Sequence, residues 1–268
     1  MATVHVNNIS DFISAVAVDG DTVILDTDLD FINNPITTSI VIGATTIVDG
    51  ANHTLKNITS GINGVFRCKT NYSADIKNMN FYNVGFMGAN DNNYFTYGAT
   101  GFPGVRLRYT DCNFQGKFTR FAHDGTDFTR CIMSFNNSNN ALIISDSTLD
   151  TCYIDFGIVV TNKTRIMTVK ELLNTYIKGD ITFLSSITTE LITVTGGINT
   201  KWSVLNMDIT GNGTAVKMMN TAHEGVLYNS DKIHNLTISS VPEIYGLTDA
   251  QLKDSTYIAN NTTFPIAI

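Results

Sequence analysis

Between Tyr109 and Phe156 the chain repeats one short polar and apolar alternation: Asp111-Cys112-Asn113-Phe114, then Arg130-Cys131-Ile132-Met133, then Thr151-Cys152-Tyr153-Ile154. The cysteines are 131 − 112 = 19 and 152 − 131 = 21 residues apart. That period is too short for a repeat of paired helices and suits one turn of a strand-built solenoid. The same frame recurs at Thr54-Leu55-Lys56-Asn57, Asn78-Met79-Asn80-Phe81, Asn174-Thr175-Tyr176-Ile177, Asn206-Met207-Asp208-Ile209 and Asn235-Leu236-Thr237-Ile238. Second positions are then separated by 24, 33, 19, 21, 23, 32 and 29 residues, from 55, 79, 112, 131, 152, 175, 207 and 236. The shorter steps predict bare coils and the longer ones coils with an inserted loop. Because strand side chains alternate between faces, second and fourth positions point to one side. The prediction is an interior ladder of Leu55, Met79, Cys112, Cys131, Cys152, Thr175, Met207 and Leu236.

Before the coils, residues 3–30 read as strand, helix, strand: Val4-His5-Val6, a helix from Asp11 to Ala17 capped by Ser10, and Thr22-Val23-Ile24-Leu25. Ser10 suits a free N–H, Asp11 suits the positive helix start, and Phe12, Ile13 and Val16 form an apolar stripe. Such a segment covers the open hydrophobic end of a solenoid. At the other end, Thr248 and Gln251 have capping-box spacing for a short helix, and Phe264-Pro265-Ile266-Ala267-Ile268 is apolar. The expected organisation is an N-terminal cap over 1–45, a parallel β-helix over 46–244 and a capping or docking tail over 245–268. Residues 168–173 have helix-compatible capping spacing, but the strand reading is kept there.

The chain has 268 residues, 43% hydrophobic and 15% charged, enough to bury a large core. Net charge is −7, with no cationic run, which argues against nucleic acid and anionic membranes as partners. No stretch approaches the roughly 20 apolar residues of a spanning helix, and Met1-Ala2-Thr3-Val4-His5 does not open a secretory leader. The four cysteines, Cys68, Cys112, Cys131 and Cys152, form no Cys-x-x-Cys and have no histidine at ligand spacing. They read as reduced core residues made in a reducing cytoplasm. No cofactor and no metal is expected, since Walker, dinucleotide and zinc-protease signatures are absent.

The order Val4-His5-Val6, short helix, Gly20-Asp21-Thr22-Val23-Ile24-Leu25, Asp28-Leu29-Asp30-Phe31 and Thr46-Ile47-Val48-Asp49-Gly50-Ala51-Asn52-His53-Thr54-Leu55 resembles the cap and first coils of the pectate-lyase-like superfamily. The fold this implies is all-β, a single-stranded right-handed parallel β-helix with a short N-terminal capping helix. That superfamily includes polysaccharide lyases, glycosidases, bacterial adhesins and phage tailspikes, so the resemblance implies an architecture and not a chemistry. The stretch Tyr245 to Tyr257 also looks like the tail of some surface adhesins and phage proteins.

Sugar cleavage on such a coil needs an acid and a partner carboxylate. The catalytic candidates are His123, Asp124 and Asp127, with Asp146, Asp150, Asp155, His223 and Glu224 behind them. Several of these fall where Asp makes local turn bonds. The polygalacturonase pattern of the superfamily, an Asp-Asp pair with Gly-His-Gly and Arg-Ile-Lys, is missing. The stretch 85–104 offers Phe86, Tyr94, Phe95, Tyr97 and Phe102 as a protein- or sugar-binding patch if exposed, or as a folded-back layer if buried. Together these features lead to the expectation of a non-enzymatic structural or adhesive protein of a bacteriophage virion. It would form a homo-oligomer, a trimer favoured, contacting other virion proteins or host surface polysaccharide. The alternatives are a tailspike-type depolymerase and a bacterial cell-surface adhesin.

Overall fold

A computed structural model describes residues 1–60, 64–86, 94–98, 105–118, 120–123, 125–136, 144–161, 165–184, 188–195, 200–201, 203–219, 226–229, 233–239 and 244–247. Every strand register it defines is parallel, and the winding is that of a single-stranded parallel β-helix. The described residues contain one helix, Ile9–Val16. The chain forms two compact units, Met1–Ile132 and Met133–Ile268. The predicted tail helix and the apolar Phe264 to Ile268 segment lie outside the described residues.

In the first unit the cap forms with one correction. Asn8, not Ser10, is the N-cap, its side chain accepting from the Asp11 N–H at 2.9 Å. Ser10 lies inside the helix, where its carbonyl accepts from the Ser14 hydroxyl. Phe12 and Val16 are buried, whereas Ile13 is exposed, so the apolar stripe is narrower than predicted. Coils then stack in columns. Ala74, Leu107 and Thr126 share one register position, giving steps of 107 − 74 = 33 and 126 − 107 = 19 residues. Leu55, Phe81 and Phe114 share another, and the Phe81 and Phe114 rings stack at 4.6 Å. Tyr109 and Phe128 repeat that arrangement at 5.3 Å.

The coils of this unit turn at residues with left-handed backbone. Asn78, Asp111 and Arg130 have φ of 51°, 54° and 51°, and Met79, Cys112 and Cys131 follow them into the interior. The thiols have a bonding role as well as an apolar one. Cys112 Sγ donates to Thr110 O at 3.4 Å and Ile76 O at 3.6 Å, and Cys131 Sγ to Thr129 O at 3.4 Å and Tyr109 O at 3.5 Å. Each thiol thus adds a second donor to the carbonyl two residues before it, since Thr110 O also accepts from the Asn78 N–H and Thr129 O from the Asp111 N–H, both at 3.1 Å.

The second unit repeats the device with different residues. Thr151 and Asn174 have φ of 55° and 45°, followed by buried Cys152 and Thr175. Cys152 Sγ donates to Asp150 O at 3.4 Å, and Thr175 Oγ1 to Leu173 O at 2.9 Å. The next member is buried Ser203, whose hydroxyl donates to Leu172 O and accepts from the Thr175 N–H. Here the predicted frame slips: Tyr176 pairs with Val204, so Met207 lies opposite Gly179, four residues beyond the ladder. Leu236 likewise pairs with Thr214, and Val226 follows Ser203. In the first unit Leu55 pairs with Phe81 and not with the ladder residue Met79. The corner Gly50-Ala51-Asn52-His53 is longer than its counterpart Asn78-Met79, with both Ala51 and Asn52 left-handed. Residues 168–173 lie in the strand Arg165–Leu173, as kept.

Outside, charge follows register. Lys77 bonds its register partner Asp49 at 3.1 Å, and Arg108 forks onto its register partner Asp75 at 2.6 and 3.0 Å. The corner residues Arg130 and Asp111 form a second fork, both bonds 2.7 Å. In the second unit Lys178 bonds its register partner Asp155 at 3.1 Å. Asp30, Asn57 and Asn83 are linked by side-chain amides. Each exposed pair contributes at most about 1 kcal/mol, so these bonds set register more than stability.

The corner ladder predicts that Cys131→Asp unfolds the first unit, costing more than about 3 kcal/mol, because an unpaired charge would face carbonyls. Cys131→Ser and Cys131→Val should cost about 1 kcal/mol or less. Urea titration followed by circular dichroism reads the difference, and equal tolerance of all three would contradict an interior thiol. Burial pushes the Cys68 thiol up to about 12, and all four cysteines are free and buried. Ellman's reagent at pH 8 should therefore label none of the four in native protein and all four in guanidinium; rapid native labelling would contradict this.

The pH profile follows from the same bonds. Lys56 holds the Asp28 carboxyl low and Lys69 holds that of Asp19 low. Asn57 does so for Asp30, and at Asp49 the Ala51 N–H, Asn78 and Lys77 together outweigh burial. Groups lowered on folding stabilise above their unfolded values and lose that stabilisation as pH falls through the folded ones. Lys56 and Lys178 are raised by Asp28 and Asp155, so their contribution is lost only at high pH. The melting temperature should be level across neutral pH and fall below about pH 4. A rise in stability on acidification from pH 5 to pH 3 would contradict the assignment.

Candidate functional site

The outward positions that carry chemistry in the first unit come from three short strands, Phe66–Cys68, Thr96–Tyr97 and Ala122–His123. Phe66 and Cys68 point inward, which leaves Arg67 outside, and parallel pairing sets Arg67, Tyr97 and His123 in one register row. Their strand neighbours fix the row from below: Thr96 is wholly buried, and its hydroxyl shares a 2.9 Å hydrogen bond with Tyr109. Burial pushes the Tyr109 phenol well above its ordinary value, so it is a neutral structural group.

Around the row, the edge of Tyr94 meets His123 with centroids 4.1 Å apart, and Tyr97 lies tilted at 5.3 Å from the same imidazole. Arg120 donates to the Tyr94 hydroxyl at 2.6 Å, with its guanidinium carbon 5.2 Å from that ring's centre. Gly64, at φ 67°, comes so close that an added Cβ would lie 3.2 Å from the Tyr97 Cβ. A side chain there would be strained by the left-handed backbone and would make the tyrosine yield by a few tenths of an ångström.

The neighbouring column is ionic. Asp75, Arg108 and Asp127 share a register position, and the Asp75 carboxylate raises the Arg108 guanidinium further above its ordinary value. Asp127 accepts from Arg106 at 3.2 Å, the two side chains only 21% and 17% exposed, which shields this pair more than the other bridges.

Of the residues singled out from sequence, Tyr97 and His123 are brought together from stretches 26 residues apart (123 − 97). Phe95 is wholly buried and Tyr94 nearly so, which for these two rings is the folded-back alternative and not the exposed patch. Their rings have folded back, Phe95 stacking with Phe121. Asp127 lies on the strand Thr126–Thr129, after the corner at Gly125, and is tied to Arg106. Asp124, Phe102, His223 and Glu224 lie outside the described residues, as do the side chains of Phe86 and Asp146. In the second unit Asp155 pairs with Lys178, and Asp150 accepts from the Thr151 hydroxyl, a local corner bond. Among the described residues no group of three or more His, Cys, Asp or Glu is placed to hold a metal ion.

Sequence reasoning missed Arg67 and Arg120. The alternation Phe66-Arg67-Cys68 could have placed Arg67 outside, but only the coil register brings it beside Tyr97 and His123. The row offers a flat ring surface, an imidazole and a guanidinium, which is the equipment for holding a ligand. Its carboxylates belong to ion pairs in the next column.

No protein-family model matches this chain, and no curated protein sequence matches it. Among solved structures it is similar to one described as a "putative immunoglobulin A1 protease from Bacteroides ovatus". The identity is 12% and the TM-score 0.45, over 96% of this chain and 87% of that one.

Proposed function

We propose that this chain is a non-enzymatic structural or adhesive β-helix of a bacteriophage virion, made in the host cytoplasm and carried as a tail or head appendage. Its partners are other virion proteins or host surface glycan, and it assembles as a homo-oligomer, a trimer favoured. The observation that carries the non-enzymatic part is the use made of the outer carboxylates. Asp49, Asp75, Asp111, Asp127 and Asp155 are each bonded to a cation, and among the described residues the carboxyls with displaced values, Asp19, Asp28, Asp30 and Asp49, are all held low. A glycosidase acid needs the opposite, a carboxyl raised so that it keeps its proton near neutral pH. The coil uses its acids to fasten its own windings and leaves rings and a guanidinium for contact.

Light scattering on the purified chain, with pull-down against disrupted phage particles and a glycan panel, tests this. The expected result is a defined oligomer that retains a virion protein or a host glycan without cutting it. A monomer that binds neither would overturn the proposal. Release of reducing ends or unsaturated uronate, abolished by Asp124→Asn or Asp127→Asn, would assign a depolymerase instead.

A further inference from the structure

On the exterior of the first unit most cations are tied to a neighbouring side chain, and among the arginines the exception is informative. Lys77 stands opposite Asp49 and Arg108 opposite Asp75 of the adjoining coil, whereas the exposed Lys117 stands opposite Gly85. Every other arginine of this unit bonds a side chain: Arg106 bonds Asp127, Arg108 bonds Asp75, Arg120 bonds Tyr94 and Arg130 bonds Asp111. Arg67 is exposed and, among the described residues, bonds none. Its register neighbours are Val41 and Tyr97, so no carboxylate stands opposite it.

We infer that Arg67, Tyr97 and His123 form a binding site for an acidic saccharide, a sugar ring bearing one carboxylate or phosphate. The inference rests on reading this face as a contact surface and specifies what it contacts. A guanidinium presents a planar fork of donors that matches either anion in a bidentate way. The adjacent tyrosine and imidazole give a flat, partly apolar surface with polar edges, suited to a ring that is hydrophobic on its faces and hydroxylated at its rim. Gly64 packs closely under Tyr97 and Arg67 at the base of the row. In a chain of net charge −7, a guanidinium kept clear of the carboxylates that neutralise its neighbours is a local site for an anion.

Glucuronate, glucose 6-phosphate and glucose are titrated into the full chain by saturation-transfer NMR and calorimetry, with R67Q and K117Q alongside. Lys117 is an exposed cation outside the row, so K117Q controls for general charge. At least one anion should bind about tenfold or more tighter than glucose, lose that advantage in R67Q and keep it in K117Q. R67Q should keep the wild-type melting temperature. Preference for glucuronate identifies the carboxylate and preference for glucose 6-phosphate the phosphate, and either supports the site. No preference for an anion, or undiminished binding by R67Q, overturns it. A polymeric host glycan held equally by wild type and R67Q leaves the contact surface standing and removes this inference alone.

Discussion

The structure depends on turning every coil at the same place. A parallel stack gains its ladder bonds only if each winding ends in register with the one before, and local strand pairing does not guarantee that. The corner supplies the guarantee. A residue in left-handed conformation, Asn78, Asp111 or Arg130 in the first unit and Thr151 or Asn174 in the second, turns the chain so that the next side chain enters the interior. Where that side chain is Cys or Thr, it donates back to a corner carbonyl. A left-handed non-glycine residue costs energy, and its recurrence at equivalent positions shows that the stack outweighs that cost.

With the interior fixed by corners, the exterior keeps only the tasks of holding register and meeting the surroundings. The first task takes most of the charge. Asp75, Arg108 and Asp127 lie in one row, and Arg130 and Asp111 join consecutive corners directly. Individually such bonds are weak, and their specificity comes from the penalty a slipped register would impose by bringing like charges together. The second task is left to positions outside this pattern, and the proposed contact row of Arg67, Tyr97 and His123 is one such place in the described first unit.

Fold class was legible in the sequence because strand alternation and a coil-length period are both local signals. The Cys112 and Cys131 positions of the frame hold in the first unit and Cys152 and Thr175 in the second, since the coils between each pair are short. Register was less legible. Leu55 stands two residues from its predicted place and Met207 four, yet both are buried. Even-numbered slips preserve the face a side chain points to, so alternation alone cannot expose them. What decides is the corner, lengthened at Gly50 to His53 and carried by Ser203 where the frame had looked for Met207. The cap was misread for a related reason: Asn8 and Ser10 are equally good caps by composition, and the backbone turned one step earlier. Of the candidate row, the sequence singled out Tyr97 for binding and His123 for catalysis, while Arg67 gains meaning only from its place between coils. The burial of Phe95 was open in the sequence, because an aromatic run fits a core layer as well as a surface one.

A sulfur-anomalous difference map from a crystal of the chain is the most direct measurement of the corner ladder. The account predicts separate, unbridged sulfurs for Cys112, Cys131 and Cys152, each about 3.4 Å from the carbonyl two residues before it. Sulfurs joined in pairs, or turned toward solvent and away from those carbonyls, would contradict it.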